Sequence, residues 1–447
     1  MQTLEEKIKN FVKEQGIEVV GLAGPERFKG PKPPSMNPAY ILKGAKSIVS
    51  FVMPMNVEAI YDWFTKKSNV THQVDQTNLN QEMGQKSKAI AEFIQNMGYK
   101  AKAVGTNNNY RRSPDVMSTR PEFSHRFGAI AAGVGGQGWS GNIMTKAYGA
   151  AVYLGTVVTT AELKSDPALD PRYFIEDYCY KCRLCDKTCV SGMFDSQEEE
   201  YVLLNEDLHP RAKRISIDLC NTSCFALHSL SRDKKWSTWG IHWIDSWVDN
   251  PPVDGENARI KKDLIIKGTQ IGDATPKYDI IRHITNTVIP DDLMAEYNEK
   301  MSSLKTQKER NAFLSDWAER IGVKNVKEDR FLVCGNCALI CGPTLEETRK
   351  RYDMLVNSGI VIPGPDEENL IVHSYEEAVE KRQEHFPKVT KAEMAKDAAE
   401  SAALWARLYL GTNPTEEHKG RVYEKQRLAA VKKLEGQTRI SDGKTAK

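Results

Sequence analysis

The residues of this 447-residue chain that could do chemistry by type and spacing are its nine cysteines. Cys179, Cys182, Cys185 and Cys189 read C-x2-C-x2-C-x3-C, the bacterial ferredoxin spacing that holds an iron–sulfur cubane. Three thiolates two residues apart can wrap one cluster, while the fourth points away and usually ligates the other cluster of a pair. A second group is therefore required, and Cys334, Cys337 and Cys341 supply it as C-x2-C-x3-C. Its missing ligand comes from upstream, where Cys220 and Cys224 remain. The expected sharing puts Cys179, Cys182, Cys185 and Cys341 on one cluster. Cys189, Cys334, Cys337 and one of Cys220 or Cys224 take the other. Cys224 is preferred because Cys224-Phe225-Ala226-Leu227 opens an apolar run, with Cys220 as its substitute. Zinc knuckles also use C-x2-C pairs, but a tetrahedral zinc site needs no third cysteine so close. The residues after Cys189 and Cys341 are Val190 and Gly342, where the motif usually has proline.

Three further stretches carry unusual residues. Thr106 to Asp115 is a polar loop after a strand, the place where open sheets put ligands; the competing reading is a solvated surface loop. Between Gly133 and Gly141, five glycines fall within nine residues. Such a loop lets backbone approach a bulky partner closely, or makes a tight turn packed on its own core. It lacks the ending of a P-loop. Trp236, Trp239, Trp243 and Trp247 repeat at 3-4-4 spacing, which fits one helical face.

The elements that must position these residues follow from periodicity. Thr3 and Glu6 form a capping box; Leu4, Ile8, Phe11 and Val12 share one helical face, and Gly16 ends it. Strands are expected at Ile17–Leu22, Ser47–Met53, Ala101–Val104 and Ala150–Val158. A longer helix carries Met83, Ile90, Phe93, Ile94 and Met97, stopped by Gly98. Helices alternating with strands indicate an α/β or α+β sandwich. Thr344 caps a helix over Glu346–Leu355, and another helix is expected over Leu293–Trp317. The net charge of +2 predicts no nucleic-acid footprint, and cysteines in metal spacing suggest a reducing compartment. No run of eighteen apolar residues is present. As written, the chain is expected in the cytoplasm; an exported form trimmed of a twin-arginine leader would read the same.

The order of glycine loop, then Tyr148 to Leu163, then a double-cubane cysteine set resembles the corrinoid-dependent iron–sulfur reductases: the respiratory reductive dehalogenases and their relative, epoxyqueuosine reductase. The resemblance covers roughly residues 1–230 and 330–345. It implies an α+β fold, with a nitroreductase-like sandwich binding a corrinoid and a bacterial two-cluster ferredoxin-like domain. It implies two 4Fe-4S clusters and a cobalamin held largely by backbone, with Gly138, Ser140, Gly141, Asn142, Thr145 and Tyr148 as its contacts. It further implies that electrons pass through the clusters to cobalt, which removes halide from a small organohalide. A low-potential donor would supply them, of ferredoxin or flavodoxin type or membrane-derived. Tyr110 would donate the proton, acidified by Arg111 and Arg112, since an adjacent cation stabilises phenolate. Trp236, Trp239 and Trp243 would line the substrate pocket. Epoxyqueuosine reductases carry Thr-Asp where this chain has Thr159-Thr160, which weakens that branch. His209, in Asp207-Leu208-His209-Pro210, reads as a surface histidine beside a turn rather than a cobalt ligand. Two alternatives stand beside dehalogenation: a tRNA-modifying enzyme of the epoxyqueuosine reductase kind, and a non-enzymatic two-cluster electron carrier.

The expected organisation is a corrinoid-binding domain over 1–170 and a ferredoxin-like domain over 171–230 and 331–345. That second domain is split by an aromatic-rich insertion over 231–330. A helical region over 346–447 is assigned to packing or to self-association as a homodimer.

Overall fold

The computed structural model describes residues 2–29, 34–105, 122–171, 178–204, 207–215, 229–239, 334–363 and 369–385, with Cys220 and a few single positions besides. In chain order its first elements are α1 (Leu4–Glu14), β1 (Val19–Ala23), α2 (Pro38–Ile41), β2 (Ser47–Pro54), α3 (Val57–Phe64), α4 (Val70–Asn96) and β3 (Ala101–Ala103). Then come α5 (His125–Ala131), β4 (Gly136–Gln137), β5 (Ile143–Met144), β6 (Val152–Thr159), α6 (Leu184–Lys187), β7 (Phe194–Leu204) and β8 (Asp207–Arg214). After the cysteines of the second group come α7 (Asn336–Leu339), α8 (Leu345–Val356), β9 (Ile360–Pro363), β10 (Asn369–Val372) and α9 (Tyr375–His385).

The fold is mixed α/β. Four strands form an antiparallel sheet in the order β1-β2-β6-β3. β2 is central and buried along almost its whole length, because helices cover both faces of the sheet. Val49, Phe51 and Met53 face Ile8 and Val12 of α1 and Met83, Ile90 and Ile94 of α4. Ile48 and Val52, pointing the other way, pack on Phe127, Ala129 and Ile130 of α5. A strand buried on both sides reads as a continuous apolar run, as Ser47 to Met53 does. The capping box of α1 is complete: Thr3 Oγ1 accepts from the Glu6 N–H and Glu6 Oε2 accepts from the Thr3 N–H.

β7 and β8 form a hairpin with a bulge between Phe194 and Glu199. Arg211–Glu200 (2.7 Å) and Lys213–Glu198 (2.6 Å) pair across it. Beyond the last cysteines Thr344 caps α8 as expected, its side chain accepting from the Glu347 N–H. The helical reading of 346–447 needs correction between α8 and α9, where β9 and β10 pair antiparallel. Ile360-Val361-Ile362 is β-branched and buried, which favours a packed strand over a helix. The expected helix over Leu293–Trp317 and the tail beyond residue 385 fall on positions outside the described residues, single positions aside.

Candidate metal centre

The two cysteine runs share a local shape. Lys181 and Arg183, on either side of Cys182, have φ of 48° and 58°, and Gly335, after Cys334, has φ of 62°. Arg183 and Gly335 are the residues at which α6 and α7 start. Left-handed residues among right-handed ones turn successive N–H groups towards one point, a concavity that suits anions and iron–sulfur sites. Non-glycine residues in this region are uncommon and persist where surroundings hold them.

The cysteines converge on one core. Cys179, Cys185 and Cys341 are buried, and Cys182, Cys189, Cys220 and Cys337 pack against the same cluster. Burial pushes the Cys185 thiol well up, and the charges of Cys341, Cys337, Cys179 and Cys182 add to it. Burial does the same to Cys341, reinforced by Cys179, Cys182 and Cys337 and opposed by Arg351. Cys341 packs in the same core as Cys179 and Cys185, although it lies far along the chain. Burial also raises Cys189; the Ser191 hydroxyl and the Met193 N–H oppose it, and the nearest thiol charge is that of Cys337. Cys220 also packs against this core, whereas Cys224 is outside the described residues. Among the described residues no three Cys, His, Asp or Glu side chains form a compact single-ion group.

Hydrogen-bond donors are aimed at the sulfurs. The Trp139 N–H donates to Cys179 Sγ (3.1 Å), the Met193 N–H to Cys189 Sγ (3.3 Å) and Asn142 Nδ2 to Cys337 Sγ (3.2 Å). A second polar signal is an orphan. Lys66, at φ 62° just after α3, is 3% exposed, and its Nζ has no hydrogen-bond partner. Burial pushes its pKa down to about 7, opposed by the charge of Cys334. An unpaired buried ammonium costs several kcal/mol, so this one calls for a negative neighbour. Crowded thiolates, inward N–H groups and a spare cation fit anionic cubanes, each taking four thiolates.

A corrin ring is a different case. Gly138, Ser140 and Gly141 form the turn between β4 and β5, closed by Gly138 N–H to Asn142 O (2.9 Å) and Gly141 N–H to Gly138 O (2.8 Å). Ser140 Oγ accepts from Asn142 Nδ2 (3.1 Å), and Arg126 Nη2 donates to Asn142 Oδ1 (2.8 Å). Thr145 Oγ1 donates to Gly149 O and accepts from the half-buried Tyr148 N–H. Gly141, at φ 75°, leaves room for Arg214, whose Nη2 would stand 2.8 Å from an added Cβ. Gly149, at φ 69°, sits on the second cysteine group: an added Cβ would meet Cys341 O at 2.2 Å, and the Ala150 N–H donates to that same oxygen (2.9 Å). These close approaches are to the chain itself. They account for Gly141 and Gly149.

Trp236 and Trp239 are both 3% exposed and belong to the cysteine core. They do not lie on a helix: Leu230 and Ser237 form an antiparallel bridge around a turn, with Trp236 O accepting from the Ser231 N–H (2.8 Å). Trp239 Nε1 donates to Trp63 O (2.8 Å), and Lys66 Nζ lies 5.9 Å from the Trp239 ring centre. Trp243, Tyr110, Arg111 and Arg112 lie outside the described residues. The surface reading of His209 is corrected: it is 5% exposed within β8, opposite Val202. Pro210 continues the strand instead of turning it, so the ring goes inward and burial pushes its pKa down to about 4. Lys66, Arg126 and Trp139 were not singled out as site residues from sequence. Only Trp139, inside the glycine run, carried a signal.

No family model matches the chain. Over 197 residues, 43% of the chain, it is 27% identical to tetrachloroethene reductive dehalogenases of Desulfitobacterium hafniense and Dehalobacter restrictus (strain DSM 9455 / PER-K23). The match spans 30% of those relatives' own length. Among solved structures it is similar to the catabolic reductive dehalogenase NpRdhA (TM-score 0.36, 15% identity, 49% of this chain and 29% of that one). It is also similar to epoxyqueuosine reductase from Streptococcus thermophilus (TM-score 0.34, 14% identity, 91% of this chain and 98% of that one). A further similar structure is described as suggesting a mechanism for B12-dependent dehalogenation (TM-score 0.37, 14% identity, 64% of this chain and 39% of that one).

Proposed function

We propose that the chain is an iron–sulfur oxidoreductase of the reductive dehalogenase kind, carrying two 4Fe-4S clusters that deliver electrons to an organohalide-reducing corrinoid. The observation that carries the electron-transfer half is the convergence of the two cysteine runs on one core, with N–H donors aimed at three of the sulfurs. Cys179, Cys182, Cys185 and Cys341 would hold one cubane. Cys189, Cys334, Cys337 and Cys220 or Cys224 would hold the other. The protein's part is to exclude water from the sulfurs, fix their spacing and tune them with donors.

The corrinoid half rests on sequence similarity to the dehalogenases, not on the glycine turn. A corrinoid supplies a strongly reducing cobalt centre. In this reading Tyr110, beside Arg111 and Arg112, supplies the proton, the flanking cations favouring its phenolate. Trp236, Trp239 and Trp243 form the apolar surround. A low-potential donor of the ferredoxin or flavodoxin type, or a membrane-derived reductant, feeds the clusters.

The second reading, a two-cluster electron carrier, is favoured by the glycine turn being filled by the chain itself. For a tRNA-modifying enzyme, the position where an aspartate is expected is Thr160, whose hydroxyl accepts from the Lys100 N–H (3.0 Å). One experiment separates the three. The chain is purified and reconstituted anaerobically with iron, sulfide and cobalamin. It is then assayed for bound corrinoid, for halide release from an organohalide panel and for salt-dependent tRNA binding. Bound corrinoid with halide release supports dehalogenation. Clusters without corrinoid leave the carrier.

A further inference from the structure

Resting on the two-cluster reading above, we infer that Asn142 is a side-chain donor that raises the reduction potential of the cubane held by Cys189, Cys334 and Cys337, and that Arg126 is the positioning residue that keeps its amide in the donating orientation. Asn142 Nδ2 lies 3.2 Å from Cys337 Sγ, and the residue is 8% exposed. Which end of the amide faces the sulfur is decided by its other neighbours. Arg126 Nη2 is 2.8 Å from Oδ1, and a guanidinium has only donors to offer. The oxygen is therefore turned to Arg126. The two amino protons are left for Cys337 Sγ and for Ser140 Oγ, at 3.1 Å. Arg126 Nη1 also donates to Gly141 O (3.2 Å). One guanidinium, carried by α5, thus holds both the turn and the amide that projects from it.

The same turn meets the first cysteine set in another way. The Trp139 N–H reaches Cys179 Sγ (3.1 Å) from the main chain, as the Met193 N–H reaches Cys189 Sγ (3.3 Å). Such donors persist whatever side chain is present. The Asn142 donor belongs to a side chain, so it can be removed while the main-chain donors stay. Adding one electron to a cubane makes it more negative and breaks no bond. An N–H aimed at a ligand sulfur stabilises the more negative form more strongly, which raises the potential. Burial strengthens the effect, because little water competes for the sulfur. Asn142 therefore acts on the second cubane, and the first is held by a part of the turn that its replacement leaves in place.

The test is a redox titration followed by electron paramagnetic resonance on the full chain with both cubanes reconstituted, using dithionite as the one-electron source. Cys334→Ser identifies which wave belongs to the second cubane. Asn142→Leu keeps the side-chain shape and removes the donor. The equilibrium constant for reducing the second cubane should fall by at least about threefold, about 28 mV for one electron, with the first wave unmoved. Arg126→Met should lower the same wave when Asn142 is present. In the Asn142→Leu background it should change nothing further, because its effect passes through the amide. Should Asn142→Leu not load both cubanes, Asn142→Ala carries the same comparison. Two unmoved waves, or two waves lowered equally, overturn the role of Asn142 while leaving the clusters in place. An equal shift from Arg126→Met in both backgrounds makes Arg126 a plain charge and overturns its positioning role. A wild-type chain that takes up no cubane iron overturns the two-cluster reading itself.

Discussion

The sheet and the cysteine core bury their side chains by different logics. Around β2 the buried residues are apolar or, like Ser47 and Ser50, hydroxyls that find backbone partners. The cysteine core instead hides the donors Lys66 Nζ and Trp139 Nε1 without a hydrogen bond. Buried polar groups are normally satisfied, and each orphan costs about 1–3 kcal/mol. In the proposed reading, anionic clusters would take up these donors in the cysteine core.

The largest break in that contrast is Cys185→Ser. It removes a buried ligand, so iron should fall by about half, from about eight to about four per chain, while the circular dichroism of the sheet persists. Iron unchanged by this substitution would remove Cys185 from the ligand set. Gly149→Val acts at the joint between the regions. A left-handed valine costs about 1–2 kcal/mol and overpacking against Cys341 O adds about 1–3 kcal/mol. Cluster absorption should drop along with stability, as spectroscopy during urea unfolding would show.

On the sheet side, Phe51→Ala should cost about 3–5 kcal/mol in denaturant unfolding and leave iron per folded molecule unchanged. Loss of iron in that variant would mean that the two regions are one unit. A pH series sharpens the comparison further. His209 titrates near 4 in the folded protein against an ordinary 6.5, so the unfolded chain binds the extra proton between those values. Its contribution is complete above about pH 6.5 and is lost as pH falls towards 4, on the order of 3 kcal/mol in all. His209→Gln should flatten that slope in the stability profile. The smallest effect is Thr3→Ala, which loses the α1 cap at about 1 kcal/mol and should leave the cluster spectrum untouched.

Much of the sheet is legible in sequence because each signal is local. The Thr3/Glu6 box, the apolar run of β2, the stop at Gly98 and the Thr344 cap each depend on residues a few positions apart. The cysteine runs are legible for the same reason. What escaped depends on distant contacts. The 3-4-4 spacing of the tryptophans suggested a helix, yet Trp236 and Trp239 reach the same core from an extended turn. His209 is followed by a proline that looks like a turn and is a strand. The β7–β8 hairpin was hidden by its charges, although Glu198 and Glu200 opposite Lys213 and Arg211 are the cross-strand pairs such a hairpin uses. Lys66 has no local mark at all: a lysine after a helix is ordinarily solvated, and only the packing of Trp63, Trp239 and the cysteines buries it.

The most direct measurement of the central claim is the iron and acid-labile sulfide content of the anaerobically reconstituted chain. Two cubanes predict about eight of each per chain. About two zinc ions per chain with no sulfide, the composition of paired zinc knuckles, would contradict it.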